Sequence, residues 1–125
     1  MPLRQSQNTR RAIAEAIVSM DEHWVALFGE LGIGDSCYSD LLVNMWLRRS
    51  ESLRKTDLYP FMPGISRRTA VKYVQEMIDA GLLDESGTED DKRVRHVTLT
   101  PILSRRLERY FDQVYALFEA IEPTD

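Results

Sequence analysis

The sequence predicts a mainly α-helical fold (α+β) with one small β-hairpin, on three observations. Apolar residues recur at helical spacing over four separate segments. Glycine and proline are sparse and fall between those segments. One stretch, "LLDESGTEDDKRVRHVTLT" (82–100), changes to a period of two around a polar, acidic tip.

The elements follow in order. Asn8 or Thr9 can cap a first helix that runs to about Gly29, with Ile13, Ile17, Met20, Trp24, Leu27 and Phe28 on one apolar stripe. "LGIGDS" breaks it, and a second helix spans about 38–49, where Leu41, Leu42, Val43, Met45 and Trp46 point to deep burial. Thr56 is a candidate cap for a short third helix, with Asp57 in its favourable first turn and Pro63-Gly64 as its stop. Ser66 caps a fourth helix whose core positions are Ala70, Val71, Val74, Met77 and Ile78, and Gly81 ends it. A short helix, a glycine-containing turn and a longer helix form a helix-turn-helix.

The hairpin follows, with strands at 82–86 and 93–100 and a tip at 87–92. Thr100-Pro101 then opens the last helix, which carries Leu103, Leu107, Tyr110, Phe111, Val114, Leu117, Phe118 and Ile121 on one face. A hairpin beside a helix-turn-helix is a winged helix. The expected organisation is one domain, 1–125, with a winged part at 54–100 between flanking helices at 8–30 and 101–121.

Composition narrows the functional classes. Hydrophobic residues make up 43% and charged residues 29%, as in ordinary globular proteins. Cys37 is the only cysteine, so no internal disulfide forms. No apolar run is long enough to span a membrane, and Met1 to Arg11 is polar and basic, unlike a signal peptide. A cytoplasmic chain with no membrane association is expected. His23, His96 and Cys37 have no metal-ligand spacing, and "DEH" (21–23) points its side chains in different directions around a helix. No enzyme, metal or cofactor is expected. The net charge of −4 does not favour nucleic acid, so any such role must rest on local charge.

That local charge sits at the start of the fourth helix. Arg67 and Arg68 occupy the positive end of a helix dipole, where acids are preferred. From Ile65 to Tyr73 the charged residues are Arg67, Arg68 and Lys72, with no acid. A helix N-terminus already offers N–H groups to phosphate, and arginine adds a bidentate fork. Solvated surface arginines are the bland alternative; the neighbouring hairpin favours DNA contact.

"GISRRTAVKYVQEMIDAGLL", the acidic tip and "DKRVRHVTLT" leading into a long helix resemble the MarR family of winged helix-turn-helix transcriptional regulators. The resemblance implies a DNA-binding repressor. Ser66, Arg67, Arg68, Thr69, Lys72 and Tyr73 would lie at the major groove. Lys92, Arg93 and Arg95 would belong to the wing, with Arg93 in the minor groove and Asp91 orienting it. Five acids, Asp84, Glu85, Glu89, Asp90 and Asp91, surround those bases, so a solvated turn is the competing reading of the wing, and a protein-interaction module that of the whole domain.

The flanking helices predict a homodimer through Leu103, Leu107, Phe111, Val114 and Phe118, since a small winged helix cannot cover that stripe alone. Trp24, Phe28 and Trp46 are candidates for a small-molecule effector pocket, although aromatics at helical spacing are more often plain core. Cys37 reads as an inert thiol rather than a redox sensor.

Overall fold

The structure, a computed structural model, describes residues 6–87 and 93–121. Its elements are α1 (Gln7–Phe28), a 3-10 turn (Gly29–Leu31), α2 (Ser36–Leu47), α3 (Lys55–Leu58) with a 3-10 turn (Tyr59–Phe61), α4 (Arg67–Asp79), β1 (Leu83–Gly87), β2 (Arg95–Leu99) and α5 (Pro101–Glu119). This is the expected winged helix with a two-stranded wing. The chain divides into two compact units, Met1–Gly34 with Glu108–Asp125, and Asp35–Leu107.

In the first unit α1 begins earlier than expected. Ser6, not Asn8 or Thr9, caps it by accepting the Thr9 N–H at 3.1 Å. Thr9 instead faces inward and is buried. The 3-10 turn that follows α1 ends where Gly32 takes a φ of 78°, the left-handed region that glycine enters without a Cβ clash. The Gly32 N–H then bonds the Gly29 carbonyl and the Ile33 N–H the Phe28 carbonyl, which satisfies the last carbonyls of the helix end. Trp24 is the centre of this unit's core. It stacks on Phe28 at 3.9 Å, meets Tyr110 edge-on at 5.1 Å, and donates its indole N–H to the Ile33 carbonyl at 3.0 Å. Ile17, predicted on the core stripe, is exposed, as are Val18 and Val25.

The second unit carries the winged helix. Leu41, Leu42 and Met45 of α2, Leu58 of α3, Ala70, Val74 and Met77 of α4, and Leu83 and Val97 of the hairpin are all buried. Each such leucine or valine contributes about 1.5–3 kcal/mol through burial, which fixes α4 by its apolar face and leaves its other face to solvent. Trp46 is only half-buried, with the Arg49 guanidinium over its ring at 3.8 Å.

One boundary of this unit differs from expectation. The third helix is capped at Arg54 rather than Thr56: the Arg54 N–H donates to the Asp57 carboxylate at 2.8 Å. Asp57 thus reaches back across the first turn, which Thr56 inside the helix cannot do. The α4 stop is as expected, since Gly81 has a φ of 75° and the Leu82 N–H bonds the Met77 carbonyl at 2.9 Å.

The hairpin is antiparallel, with Leu83 opposite Leu99 and Glu85 opposite Val97. Beyond that pairing the Val97 N–H donates to the Leu53 carbonyl at 2.8 Å, so the segment before α3 braces β2. Thr100 does more than open α5: its hydroxyl donates to the Leu82 carbonyl at 2.9 Å and accepts the Leu103 N–H only at 3.5 Å.

One expectation about α5 needs correction. Leu103 and Leu107 are 0% exposed within the single chain, so they are its own core and offer no surface to a second copy. Phe111 and Val114 are half-buried, and Phe118 is 39% exposed.

Candidate nucleic-acid interface

The N-terminus of α4 is built by its cap. Ser66 accepts the Thr69 N–H at 3.1 Å, and its hydroxyl donates to the Thr69 hydroxyl at 2.9 Å. This satisfies one of the four N–H groups that a helix start leaves open, beside Arg67 and Arg68. Both arginines are exposed. The Arg67 guanidinium lies 5.0 Å from the centre of the Tyr59 ring, which orients it from the preceding turn.

Lys72 is exposed one turn further on, with Glu76 at 3.8 Å. That pair is solvated on both sides and contributes little, so Lys72 remains available to an anion. Three cations therefore occupy the first two turns of α4, and acids enter only at Glu76 and Asp79.

Tyr73 has a different place from the one the sequence suggests. Its ring is half-buried and stacks on Tyr38 at 5.3 Å, linking α4 to α2. Burial pushes the Tyr38 phenol up to about 12, so it stays protonated at neutral pH. Cys37 beside it is also pushed up, by burial first and then by Asp35. A thiol shifted in that direction is a poorer nucleophile, in keeping with an inert side chain.

In the wing, Arg93 and Arg95 are exposed, and Arg95 donates to the Glu85 carbonyl across the hairpin at 3.3 Å. Asp91 and Lys92 lie outside the described residues. His96 is half-buried on the opposite face of β2 from Val97. Among the described residues no group of His, Cys, Asp and Glu could hold a metal ion, and no helix is long and apolar enough to cross a membrane.

Sequence reasoning missed one side chain that organises this surface. The Lys55 ammonium lies 3.2 Å from the Glu85 carboxylate of β1 and donates to the Gln75 side-chain carbonyl of α4 at 2.7 Å. Gln75 in turn donates to Asp79 at 2.9 Å. One cation thus ties the third helix to α4 and to the wing. The signal was present: Lys55 opens α3, where the helix dipole disfavours a cation, so its charge must serve a partner elsewhere. Its partners lie 20 and 30 residues away, which no local pattern reveals. The Glu85 side chain is only 16% exposed, so Lys55→Met strands a largely desolvated carboxylate. The expected cost is about 2 kcal/mol. Urea unfolding checks it, and Glu85→Gln in the same background should recover much of the loss.

The candidate effector residues are spent on packing. Trp24 and Phe28 stack in the core of the first unit, and Trp46 carries Arg49 in the second. A cavity of about 270 Å³ does open in the second unit, lined by Met45, Arg48, Leu53, Val97 and Ser104 among others, and none of the three aromatics lines it.

A winged helix-turn-helix whose second helix begins with basic residues is the class that this geometry defines. No family model matches the sequence, and no curated protein matches it. Solved structures do. The transcriptional regulator Tm0710 from Thermotoga maritima superposes with a TM-score of 0.63 at 17% identity, over 93% of this chain and 79% of that one. A variant of MepR from S. aureus gives 0.65 at 13% identity, over 94% and 81%. BpsR from Bordetella bronchiseptica, whose DNA binding is regulated by 6-hydroxynicotinic acid, gives 0.50 at 16% identity, over 98% and 88%. These neighbours are MarR-family regulators, so the fold that the sequence resemblance implied is the fold observed.

Proposed function

We propose that the chain is a sequence-specific DNA-binding transcriptional regulator that acts as a homodimer on a pseudo-palindromic operator and represses by blocking promoter access. The observation that carries this reading is the capped start of α4, where Arg67, Arg68 and Lys72 are exposed with no acid in the first two turns. Ser66, Thr69 and the backbone N–H groups of the helix start seat a phosphate, while the arginines reach phosphates or guanine edges. Arg93 and Arg95 extend the contact from the wing, alongside Lys92 and Asp91 of its tip. The regulation of BpsR by a small organic acid supports a small-molecule effector as a further partner. The protein works in the cytoplasm and performs no catalysis.

A second reading is favoured by charge. The net charge is −4, and the wing itself carries the exposed Asp84 on β1, which suits a winged helix that docks on protein instead of DNA. Selection from a random duplex library followed by a salt titration separates the two. With Arg67, Arg68, Lys72 and Arg93 engaged on each protomer, eight cations give a log–log salt slope of about −7. Enrichment of a two-fold sequence with a steep slope supports the regulator. No enrichment and no duplex binding at low salt overturns it in favour of the protein-interaction module.

A further inference from the structure

Arg67 and Arg68 reach phosphates or guanine edges, but a charged fork has no match for the apolar feature of an A·T pair, so that feature would be read by another side chain of α4. The polar side chains of the same helix already have partners that fix them at the cap or along the helix, and none of them offers an apolar contact. Ser66 and Thr69 bond each other in the cap. Tyr73 stacks on Tyr38. Gln75 uses its carbonyl on Lys55 and its amide N–H on Asp79. Glu76 and Asp79 carry the wrong charge for a groove lined by phosphates. What remains on the outward side of the first two turns is Val71.

Val71 was expected in the core and is 42% exposed. It lies one turn after Arg67 and Arg68 and one turn before Gln75, within the segment whose N-terminal residues meet base edges when a recognition helix enters the major groove. A β-branched side chain at an exposed helix position adds nothing to helix stability. It is stiff about χ1, however, so little conformational freedom is lost when it is pressed against a surface. The apolar feature that the major groove offers is the C5-methyl group of thymine.

The geometry points to Val71 as a specificity-determining residue that seats its methyl groups on a thymine C5-methyl in each operator half-site. This rests on the DNA-binding reading above and adds to it the base that the helix selects. Arg67 and Arg68 bring the helix into the groove, and Val71 discriminates thymine from cytosine, which lacks the methyl group.

The test uses full-length protein and the duplex that library selection returns. Each thymine is replaced singly by deoxyuridine, which removes the methyl group and leaves the base-pairing edge intact. In the wild-type protein one thymine per half-site should respond, with about a fourfold loss of affinity for one desolvated methyl group. Val71→Ala should bind the parent duplex less tightly by a similar factor and show little further loss on the uracil duplex. Val71→Thr retains one methyl group and should keep most of the uracil response. Duplex binding with the same uracil response in wild type and Val71→Ala overturns this inference and leaves the regulator reading standing. Binding with no uracil-sensitive thymine also overturns it. Absence of duplex binding overturns both.

Discussion

Arg67→Ala combined with Arg68→Ala is expected to leave a folded protein whose operator affinity has fallen by about 100-fold. Each arginine contact to a base or phosphate contributes about 1–3 kcal/mol, and two contacts of about 1.4 kcal/mol each give that factor. Stability moves little because two local effects oppose each other. Removing Arg67 loses its stacking on Tyr59, at 5.0 Å, an exposed interaction of about 0.5–1 kcal/mol. Removing two cations from the positive end of the α4 dipole returns a few tenths of a kcal/mol per charge. The double variant should therefore unfold within about 1 kcal/mol of the parent. Fluorescence anisotropy on the selected duplex measures the affinity and urea unfolding the stability. Arg67→Lys with Arg68→Lys separates charge from geometry: if the forks are bidentate, lysine restores the salt slope and only part of the affinity. An affinity within about twofold of the parent in the alanine variant would mean that these arginines are solvated surface charges.

Helix α4 was legible in the sequence because its signals are local. Its Ser66 cap, the Ala70, Val74 and Met77 stripe and the Gly81 stop lie within sixteen residues, and each appears in the structure at the expected position. Val71 was misassigned because a stripe has edges. It lies beside Ile78, which is half-buried, and periodicity alone does not say how far around the helix the core extends. The hairpin was legible by its period of two and its turn residues, but its brace to Leu53 was not, since a single long-range N–H···O bond leaves no mark on local composition. Lys55 belongs to the same class: the misplaced charge could be seen, its partners Gln75 and Glu85 could not. Leu103 and Leu107 show a third kind of limit. An amphipathic helix that packs on its own chain and one that packs on a second copy present the same stripe, so the sequence could not divide α5 into the part that is core and the part left uncovered.

That division shapes the second large prediction, the assembly of the protein. With Leu103 and Leu107 removed from the expected interface, what remains on α5 is half-buried Phe111 and Val114 and the more exposed Tyr115 and Phe118. Helix α1 adds Ile17, Val18 and Val25, all more than half exposed. Exposed large apolar side chains concentrated on the two helices of one unit are what a two-fold partner would cover. Val18→Asp with Phe118→Asp tests this, with Val18 58% and Phe118 39% exposed in the single chain, so the circular dichroism spectrum and urea unfolding must first show that the protomer still folds. In a dimer the same changes place charges in an apolar contact, at a cost of several kcal/mol each without a partner. Sedimentation should show the parent at twice the 14.5 kDa chain mass and the double variant at that mass, with an unchanged helical circular dichroism spectrum. The variant should also lose cooperative binding to the two-fold site, since two recognition helices can then no longer be held about one DNA turn apart. A parent that sediments as a monomer removes the homodimer from the proposal, and a double variant that stays dimeric places the interface on another face.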